Sequence, residues 1–151
     1  MNKTVSLKPR RKSAPKPYVL EEQIGFLLRQ VSQRHAAIFA EHIGSNLTPT
    51  QWAALVKLAE AGPCSQNQLG RLTAMDVATI KGVIDRLTAR GLTETSADPE
   101  DGRRLMVALT RAGQVTVEKT FPLAAEITEE TLAPLKAKER EALLALLTKL
   151  M

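Results

Sequence analysis

The sequence is poor in the residues on which metal sites, disulfides and membrane spans depend. It has one cysteine, Cys64, and two histidines, His35 and His42, in 151 residues. A single cysteine excludes an intrachain disulfide and fits a reducing cytoplasm. No apolar run approaches the roughly 18 to 20 residues that a membrane helix needs, and the first residues lack the apolar segment of a secretory signal. We therefore expect a cytoplasmic protein with no membrane partner.

Residues that would support catalysis are equally scarce. The sequence contains no glycine-rich phosphate loop and no evident pair of nucleophile and base. A zinc site would need cysteine or histidine pairs that are absent. His35 and His42 lie seven residues apart, whereas helical metal ligands are usually three or four apart, so both are expected to be ordinary side chains at a packed or interfacial surface. These absences predict a protein that is not an enzyme and has no cofactor and no metal.

The net charge of +5 comes from the first residues of the chain. Residues 1–20 carry six basic and no acidic side chains, and the other 131 residues carry 15 basic and 16 acidic ones. Together with its prolines, this composition predicts that residues 1–18 form a disordered basic tail. The tail could be a solubilising leader or an arm that contacts phosphates. Its prolines argue against a transit peptide.

Periodicity predicts a mainly helical domain over residues 19–151. A first helix is expected from about Tyr18 to Ile43, and a second after Thr48, which begins a capping box with Gln51. Ser65 and Asp76 are N-cap candidates for two further helices, and Pro122 should kink or interrupt a later one. Residues 98–102, "DPEDG", form a turn signal between two segments with strand character. This order of elements is that of a winged helix-turn-helix.

The helix after Asp76 has two distinct faces. Ile80, Val83, Ile84 and Leu87 are expected to face the core. The opposite face carries Ala78, Thr79, Lys81, Gly82, Asp85 and Arg86. A glycine inside a helix costs about 1 kcal/mol relative to alanine, which close approach to a DNA groove would explain. A solvated face with an incidental glycine is the alternative, and the helix alone does not decide between them.

Residues 91–113, "GLTETSADPEDGRRLMVALTRAG", resemble the wing of the MarR family of bacterial transcriptional regulators. The aspartate and arginine of that wing correspond to Asp101 and Arg103, and its closing Leu-Thr and glycine to Leu109, Thr110 and Gly113. Similarity extends over most of residues 20–150, including "LTPTQWAALVKLAEAGPCSQNQLGRL" and "VIDRLTARGL". Gly102 departs from the family, in which an arginine is frequent at that position. Cys64 departs too, because an aliphatic residue often stands there.

The resemblance implies a mostly α fold with a small β-hairpin wing. It places a winged helix-turn-helix at about 48–110 and dimerisation helices at about 20–43 and 112–151. It implies a homodimer on a pseudo-palindromic operator in double-stranded DNA, with the wing arginine in the minor groove and the aspartate orienting it. The DNA contacts expected from the helix and the resemblance are Gln66, Asn67, Ala78, Thr79, Lys81, Gly82, Arg86, Arg103 and Arg104.

The resemblance also implies a small-molecule effector that relieves repression. The family's pocket lies where the dimerisation helices meet the winged unit, which predicts a site formed by Phe26, Arg29, Arg34, His35, Ile38 and Trp52. The chain is similar to the branch that controls aromatic-acid catabolism, so the expected effector is an aromatic acid or its CoA thioester. In the alternative, Trp52 is a core residue and Arg29 a surface ion-pair partner.

Two other functions fit the sequence less well. Cys64 could make the protein a redox sensor, but it follows Gly62-Pro63 in what should be an apolar strand, which predicts a buried thiol. The chain could also be a helical module that binds a protein and not DNA. A thiol titration and a gel shift would distinguish these functions from that of a ligand-responsive repressor.

Overall fold

The computed structural model describes residues 16–44 and 46–151, so residues 1–15 of the predicted tail lie outside the described part. Six α-helices and a three-stranded sheet follow a short 3-10 helix, Leu20–Glu22. The elements are α1 (Ile24–Ile43), α2 (Pro49–Ala61), β1 (Cys64–Ser65), α3 (Gln66–Leu72), α4 (Val77–Ala89), β2 (Thr93–Ala97), β3 (Leu105–Leu109), α5 (Arg111–Leu132) and α6 (Ala137–Lys149).

The first helix begins later than the predicted Tyr18. Gln23 is extended (φ −82°, ψ 134°), and its backbone N–H donates to the carbonyl of Leu20, which closes the short 3-10 turn. The Gln23 side chain donates to the carbonyl of Val19 at 2.8 Å. These local bonds satisfy the backbone before α1, so the regular helix starts at Ile24.

The predicted N-caps are confirmed, because each depends on a few adjacent residues. The Thr48 hydroxyl accepts from Gln51 N–H, while the Gln51 side chain accepts from Thr48 N–H, both at 3.2 Å. The Ser65 hydroxyl caps α3 through Gln68 N–H, and the Asp76 carboxylate caps α4 through Thr79 N–H at 2.7 Å. Such caps each contribute about 1 kcal/mol to helix stability.

The main core lies between α2, α3, α4 and the sheet. Strand order is β1-β3-β2, with antiparallel pairing of Cys64 with Val107 and of Thr93 with Leu109. All four predicted inward positions of α4 are buried. The largest fully buried side chains are Leu55, Leu69, Ile80, Ile84, Leu87, Val107 and Thr93.

Ser65 belongs to two elements at once. It pairs with Met106 in the sheet, and its hydroxyl caps the next helix. No residue separates β1 from α3. The hairpin and the start of α3 are therefore joined by both sheet pairing and direct chain continuity.

Helix α5 is continuous through Pro122. The expected interruption is therefore wrong, although proline removes one backbone hydrogen bond. Both Pro122 and Glu118, whose carbonyl loses that bond, belong to exposed residues. The cost is tolerable on this side of the helix, since water can replace the missing donor.

The terminal helices leave a large apolar surface uncovered. Helix α1 packs on α5 through a small second cluster of Ile38, Phe39 and Ile127. The buried residues of α1 are Ile38 and Phe39, in its second half, and α6 has no buried residue. The exposed large apolar side chains of α1 and of the C-terminal segment are Ile24, Leu27, Leu28, Val31, Leu144, Leu146, Leu147, Leu150 and Met151.

Candidate nucleic-acid interface and ligand cavity

The outward face of α4 is exposed at most of the positions that the sequence predicts for DNA. Ala78, Thr79, Lys81 and Arg86 are exposed, and Gly82 is half-buried. Lys81 pairs with Asp85 at 2.7 Å, but more than half of each side chain is exposed. Because such an exposed pair contributes little stability, Lys81 can exchange Asp85 for a phosphate at small cost.

Gly82 has no role in the packing of the protein itself. A Cβ built at this position would meet no other atom within 4 Å, and the backbone φ is not positive. Neither crowding nor an unusual conformation therefore requires glycine here. Both explanations given by the sequence, close approach by a bound molecule and an incidental glycine on a solvated face, are compatible with this geometry.

A polar cleft of 330 Å³ separates α3 from the wing. It brings together four predicted residues, Gln66, Asn67, Arg103 and Arg104, which are about 40 residues apart in the chain. Arg86 is elsewhere: it borders another depression with Arg90, at the far end of α4. The cleft therefore unites the start of α3 with the wing arginines but not with the end of α4.

Arg71 also lines this cleft, although the sequence analysis did not select it. A usable signal was present, because Arg71 follows Asn67 by four residues and so shares its helical face. Among the described residues, Arg71 and Arg103 make no side-chain ion pair, and Arg104 has only Asp101 at 3.9 Å. Three guanidinium groups with one distant carboxylate suit an anionic partner such as a phosphate.

Two aspartates hold the wing loop in shape. The Asp98 carboxylate accepts from Glu100 N–H at 2.9 Å, and that of Asp101 accepts from Arg103 N–H at 3.1 Å. Asp101 thus fixes the backbone of Arg103, while its nearest cationic side chain is Arg104. This hydrogen bond acts on the main chain of Arg103, whose exposed side chain lines the cleft beside α3.

The Asp76 carboxylate stands at the start of α4. It accepts the Thr79 backbone N–H and bonds with the Thr79 side chain, and these bonds lower the pKa of Asp76 below its usual value. A lowered pKa keeps the carboxylate ionised at neutral pH. The N-terminal end of α4 therefore carries a fixed negative charge beside its exposed residues.

A second cavity, of 260 Å³, lies between α1, α2 and α5. Two of the six predicted ligand residues, His35 and Trp52, line it. Its other lining residues, mostly apolar, are Phe39, Pro49, Ala53, Ala124, Ile127 and Thr128. The cavity thus includes residues of the two helices named in the sequence analysis, and it also includes residues of α5, which lies about 90 residues further along the chain.

Hydrogen bonds fix both predicted side chains in the cavity wall. His35 Nδ1 lies 2.9 Å from Thr131 Oγ1, and the Thr131 hydroxyl donates its hydrogen to the carbonyl of Ile127. His35 Nδ1 is therefore the donor to Thr131, which leaves Nε2 for another partner. Trp52 Nε1 donates to Thr120 Oγ1 at 2.9 Å, and the Trp52 ring meets Phe39 edge to face at 6.1 Å.

The other four predicted ligand residues do not line this cavity. Arg29 lies over the Phe26 ring at 5.4 Å. Arg34 donates to the carbonyls of Thr131 and Glu130 at the C-terminal end of α5, at 2.7 and 3.0 Å, where a cation is favoured. Ile38 is buried in the small second cluster. Their role in ligand binding stays a prediction.

His42 connects α1 to α5 through two carboxylates. Its Nε2 lies 2.6 Å from Glu130 Oε2, and its Nδ1 lies 3.4 Å from Glu126 Oε2. The hydrogen bond to Glu130 is the main cause that raises the pKa of His42 above its usual value. The imidazolium is thus an ion-pair partner between the helices, as expected for a side chain at a packed surface.

Cys64 is buried within β1, at 3% exposure. Burial raises the pKa of its thiol, which reduces the fraction of reactive thiolate at neutral pH. This agrees with the predicted buried strand and disfavours a redox function.

The described residues offer little else for chemistry. Between residues 16 and 44 and from 46 onward, no group of three or more His, Cys, Asp or Glu side chains is placed to hold a metal ion. Within the same ranges, every helix is too short or too polar to span a bilayer. The candidate sites are therefore the polar surface of α3, α4 and the wing, and the cavity between α1, α2 and α5.

Comparison with known proteins identifies relatives along most of the chain. A model of the MarR family matches residues 47–105. The HTH-type transcriptional repressor NicR of Pseudomonas putida is 43% identical over 89% of this chain and 85% of its own length. The crystal structure of a probable transcriptional regulator from Pseudomonas aeruginosa is 59% identical, with a TM-score of 0.81, and covers 88% of this chain and 100% of that one.

A third relative is described together with a ligand. The structure of Bordetella bronchiseptica BpsR, whose DNA binding is regulated by 6-hydroxynicotinic acid, is 44% identical to this chain. Its TM-score is 0.82, and the match covers 89% of this chain and 96% of that one. The similarity therefore includes the terminal helices as well as the winged unit.

Proposed function

This chain belongs to the MarR family of DNA-binding transcriptional regulators, and on that premise we propose that it represses aromatic-acid catabolic genes as an effector-released homodimer. Membership of the family means that the protein is a regulator and not an enzyme. The proposal adds three elements: two copies of the chain, an operator in double-stranded DNA, and a small aromatic acid. Each rests on a different part of the molecule.

The dimer is supported by the uncovered surface of α1 and α6. Large apolar side chains there, such as Leu28 and Leu147, are at least one-third exposed in the single chain. Contiguous apolar surface of this kind is typical of an interface. A second copy would cover it with the same two helices and would relate two α4 helices by a two-fold axis, as a pseudo-palindromic operator requires.

DNA binding is assigned to α3, α4 and the wing. The residues proposed to contact it are Gln66, Asn67, Arg71, Ala78, Thr79, Lys81, Gly82, Arg86, Arg103 and Arg104. Helix α4 would enter the major groove, Arg103 would reach the minor groove, and Arg71 would hold a phosphate at the cleft. Local placement of the arginines matters here, because residues 21–151 carry almost no net charge.

The effector proposal rests on the 260 Å³ cavity. Drug-sized ligands occupy pockets of roughly 300 to 1,000 Å³, so this open cavity suits one aromatic ring, and the CoA part of a thioester would lie outside it. Phe39 and Trp52 supply aromatic walls, and His35 can donate from Nε2 to a carboxylate when the ring is protonated. The relative BpsR, whose DNA binding is regulated by 6-hydroxynicotinic acid, supports an acid with a single hydroxylated ring.

Calorimetry and a gel shift test the effector. The operator is a fragment from immediately upstream of this gene, and the ligands are 6-hydroxynicotinate, p-coumarate and p-coumaroyl-CoA. We expect 6-hydroxynicotinate to bind and to release the DNA, and His35→Ala to weaken its binding at least tenfold. Arg111→Ala, an exposed arginine that is neither in the cavity nor among the predicted ligand residues, is the matched control and should bind it normally. Arg29→Ala tests the remaining prediction that Arg29 contacts the ligand. Binding that His35→Ala leaves undiminished would contradict the assignment of the cavity.

Salt dependence tests the arginine cleft. Because each phosphate contact releases condensed counterions, Arg71→Ala and Arg103→Ala should each lower the slope of log K against log salt by about one per subunit. The thermal midpoint should be unchanged, since both side chains are exposed. Arg111→Ala, an exposed arginine outside the cleft, is the control. An unchanged slope for Arg71→Ala would remove this residue from the interface.

A further inference from the structure

Val77 is the most exposed of the large apolar residues that the winged unit leaves in solvent. Its exposure is 66%, compared with 41% for Leu72 and 40% for Leu105. It is the first residue of α4 and directly follows the Asp76 cap. Unlike the apolar residues of α1 and α6, it lies far along the chain from the proposed dimer surface, on the unit proposed to bind DNA.

The packing of α4 does not explain a valine at this position. The helix anchors itself to the core through Ile80, Val83, Ile84 and Leu87, which are all nearly inaccessible to solvent. A β-branched residue is only a moderate helix former, and an exposed apolar side chain gains no burial energy in the free protein. Val77 therefore contributes little to the stability of the fold.

The surroundings of Val77 are open and of mixed polarity, since Gly70, Met75 and Ile80 line them as well as polar residues. It borders a depression of 420 Å³ between α3 and α4, together with Asn67, Arg71 and Asp76. Asp76 keeps its negative charge, because its bonds to Thr79 lower its pKa. The Asp76 carboxylate disfavours a phosphate beside Val77, whereas the Arg71 guanidinium, which lines the same depression, favours a phosphate. Val77 is therefore suited to contact a group of a bound molecule that is neither charged nor strongly polar.

DNA offers one apolar group of this kind in its major groove, the C5-methyl of thymine. Residues at the N-terminal end of a recognition helix are the ones that meet base edges. Given the proposed function, in which α4 enters the major groove, we propose that Val77 recognises a thymine methyl in each operator half-site and so determines sequence preference. Arg71 positions the backbone beside it, and Val77 supplies part of the specificity.

Uracil substitution isolates this contact, because uracil lacks only the methyl group of thymine. Each thymine of the upstream operator fragment is replaced in turn, and the Kd of wild-type protein is measured for each duplex. We expect one symmetry-related pair of positions at which uracil weakens binding by about fourfold per half-site, the effect of one buried methyl group. Val77→Ala should bind thymine and uracil duplexes equally at that pair.

Leu72→Ala is the matched control, since it removes a similarly exposed apolar side chain from the neighbouring helix. It should keep the thymine preference of the wild type. Val77→Thr has the same shape, so it should fold as the wild type does and should retain part of the preference for thymine over uracil. An unchanged thermal midpoint confirms that each variant folds. The inference is overturned if the wild type binds the operator and no thymine position depends on Val77, as when the valine instead meets a protein. Failure of the wild type to bind the fragment at all would overturn the proposed function itself.

Discussion

His42 is the residue whose contacts respond most directly to pH. Its imidazole lies between Glu126 and Glu130 of α5, with 24% of the side chain exposed. Because these carboxylates raise the pKa of His42, the folded state binds its proton more tightly than the unfolded state does. The resulting stabilisation is fully present below the unfolded value of 6.5 and is lost as the pH rises through the higher folded-state pKa.

His42→Gln should therefore lower the thermal midpoint at acidic pH and have little effect at alkaline pH. Glutamine can still donate one hydrogen bond to Glu130 but carries no charge. Thermal unfolding of the two proteins from about pH 5.5 to pH 9 measures the difference. A difference that does not change across this range would contradict the ion-pair role. His35→Gln is the comparison variant, because the His35 ring bonds to the Thr131 hydroxyl and not to a carboxylate.

At this scale the sequence predicted what depends on neighbours in the chain. It identified Thr48, Ser65 and Asp76 as caps, because each cap requires only a backbone N–H a few residues ahead. It did not select Arg71, although the four-residue spacing from Asn67 was a usable signal, because the wing that completes the cleft is about 30 residues away in the chain. Arg34 shows the opposite case. Its charge suggested a ligand role, and the structure adds two hydrogen bonds to the carbonyls at the end of α5, which the sequence offered no means to predict.

Two glycines inside helices illustrate how elements constrain sequence. A Cβ at Gly113 would overlap the backbone carbonyl oxygen of Leu92. The start of α5 there packs directly on the backbone between α4 and β2. A Cβ at Gly82 would meet nothing. Packing within the protein thus requires glycine at position 113 and does not require it at position 82.

Gly113→Ala should destabilise the protein by about 2 kcal/mol or more, because backbone atoms must move to admit the methyl group. Gly82→Ala should raise stability by roughly 0.5 to 1 kcal/mol, since alanine is the better helix former. Chemical denaturation at one fixed protein concentration compares them. Gly82→Leu tests function separately and should change which operator sequences bind. Unchanged operator preference would refute close approach at Gly82.

Element boundaries were harder to predict than element types. The late start of α1 depends on the short turn before Gln23, and the continuity of α5 depends on Pro122 lying on an exposed side. The first outcome follows from local hydrogen bonds around Gln23, and the second follows from the access of water to the backbone beside Pro122. Periodicity alone reports which residues share a face, and it does not report which faces the folded molecule leaves open.

For the whole molecule, α1 and α6 predict the assembly state. If these helices meet a second copy, Leu28→Glu should place charge within the interface and produce a monomer near 16.5 kDa. Operator binding should weaken strongly, because two linked binding units profit from high effective concentration. Analytical ultracentrifugation reports the mass. Leu105→Glu, in the wing and of similar exposure, is the control and should stay dimeric; a Leu28→Glu dimer would exclude this surface.

The double role of Ser65 has a mechanical consequence for the molecule as a whole. Since one residue is both a rung of the sheet and the cap of α3, the hairpin cannot swing independently of that helix. The winged unit behaves as a stiff lever, and a wing deflection carries the tip of α3 with it. In the proposed homodimer, an effector bound in the α1, α2 and α5 cavity would act on DNA binding by changing the span between two such levers. Their separation and tilt, measured between fluorophores on two wing tips, are the quantities that an effector would change.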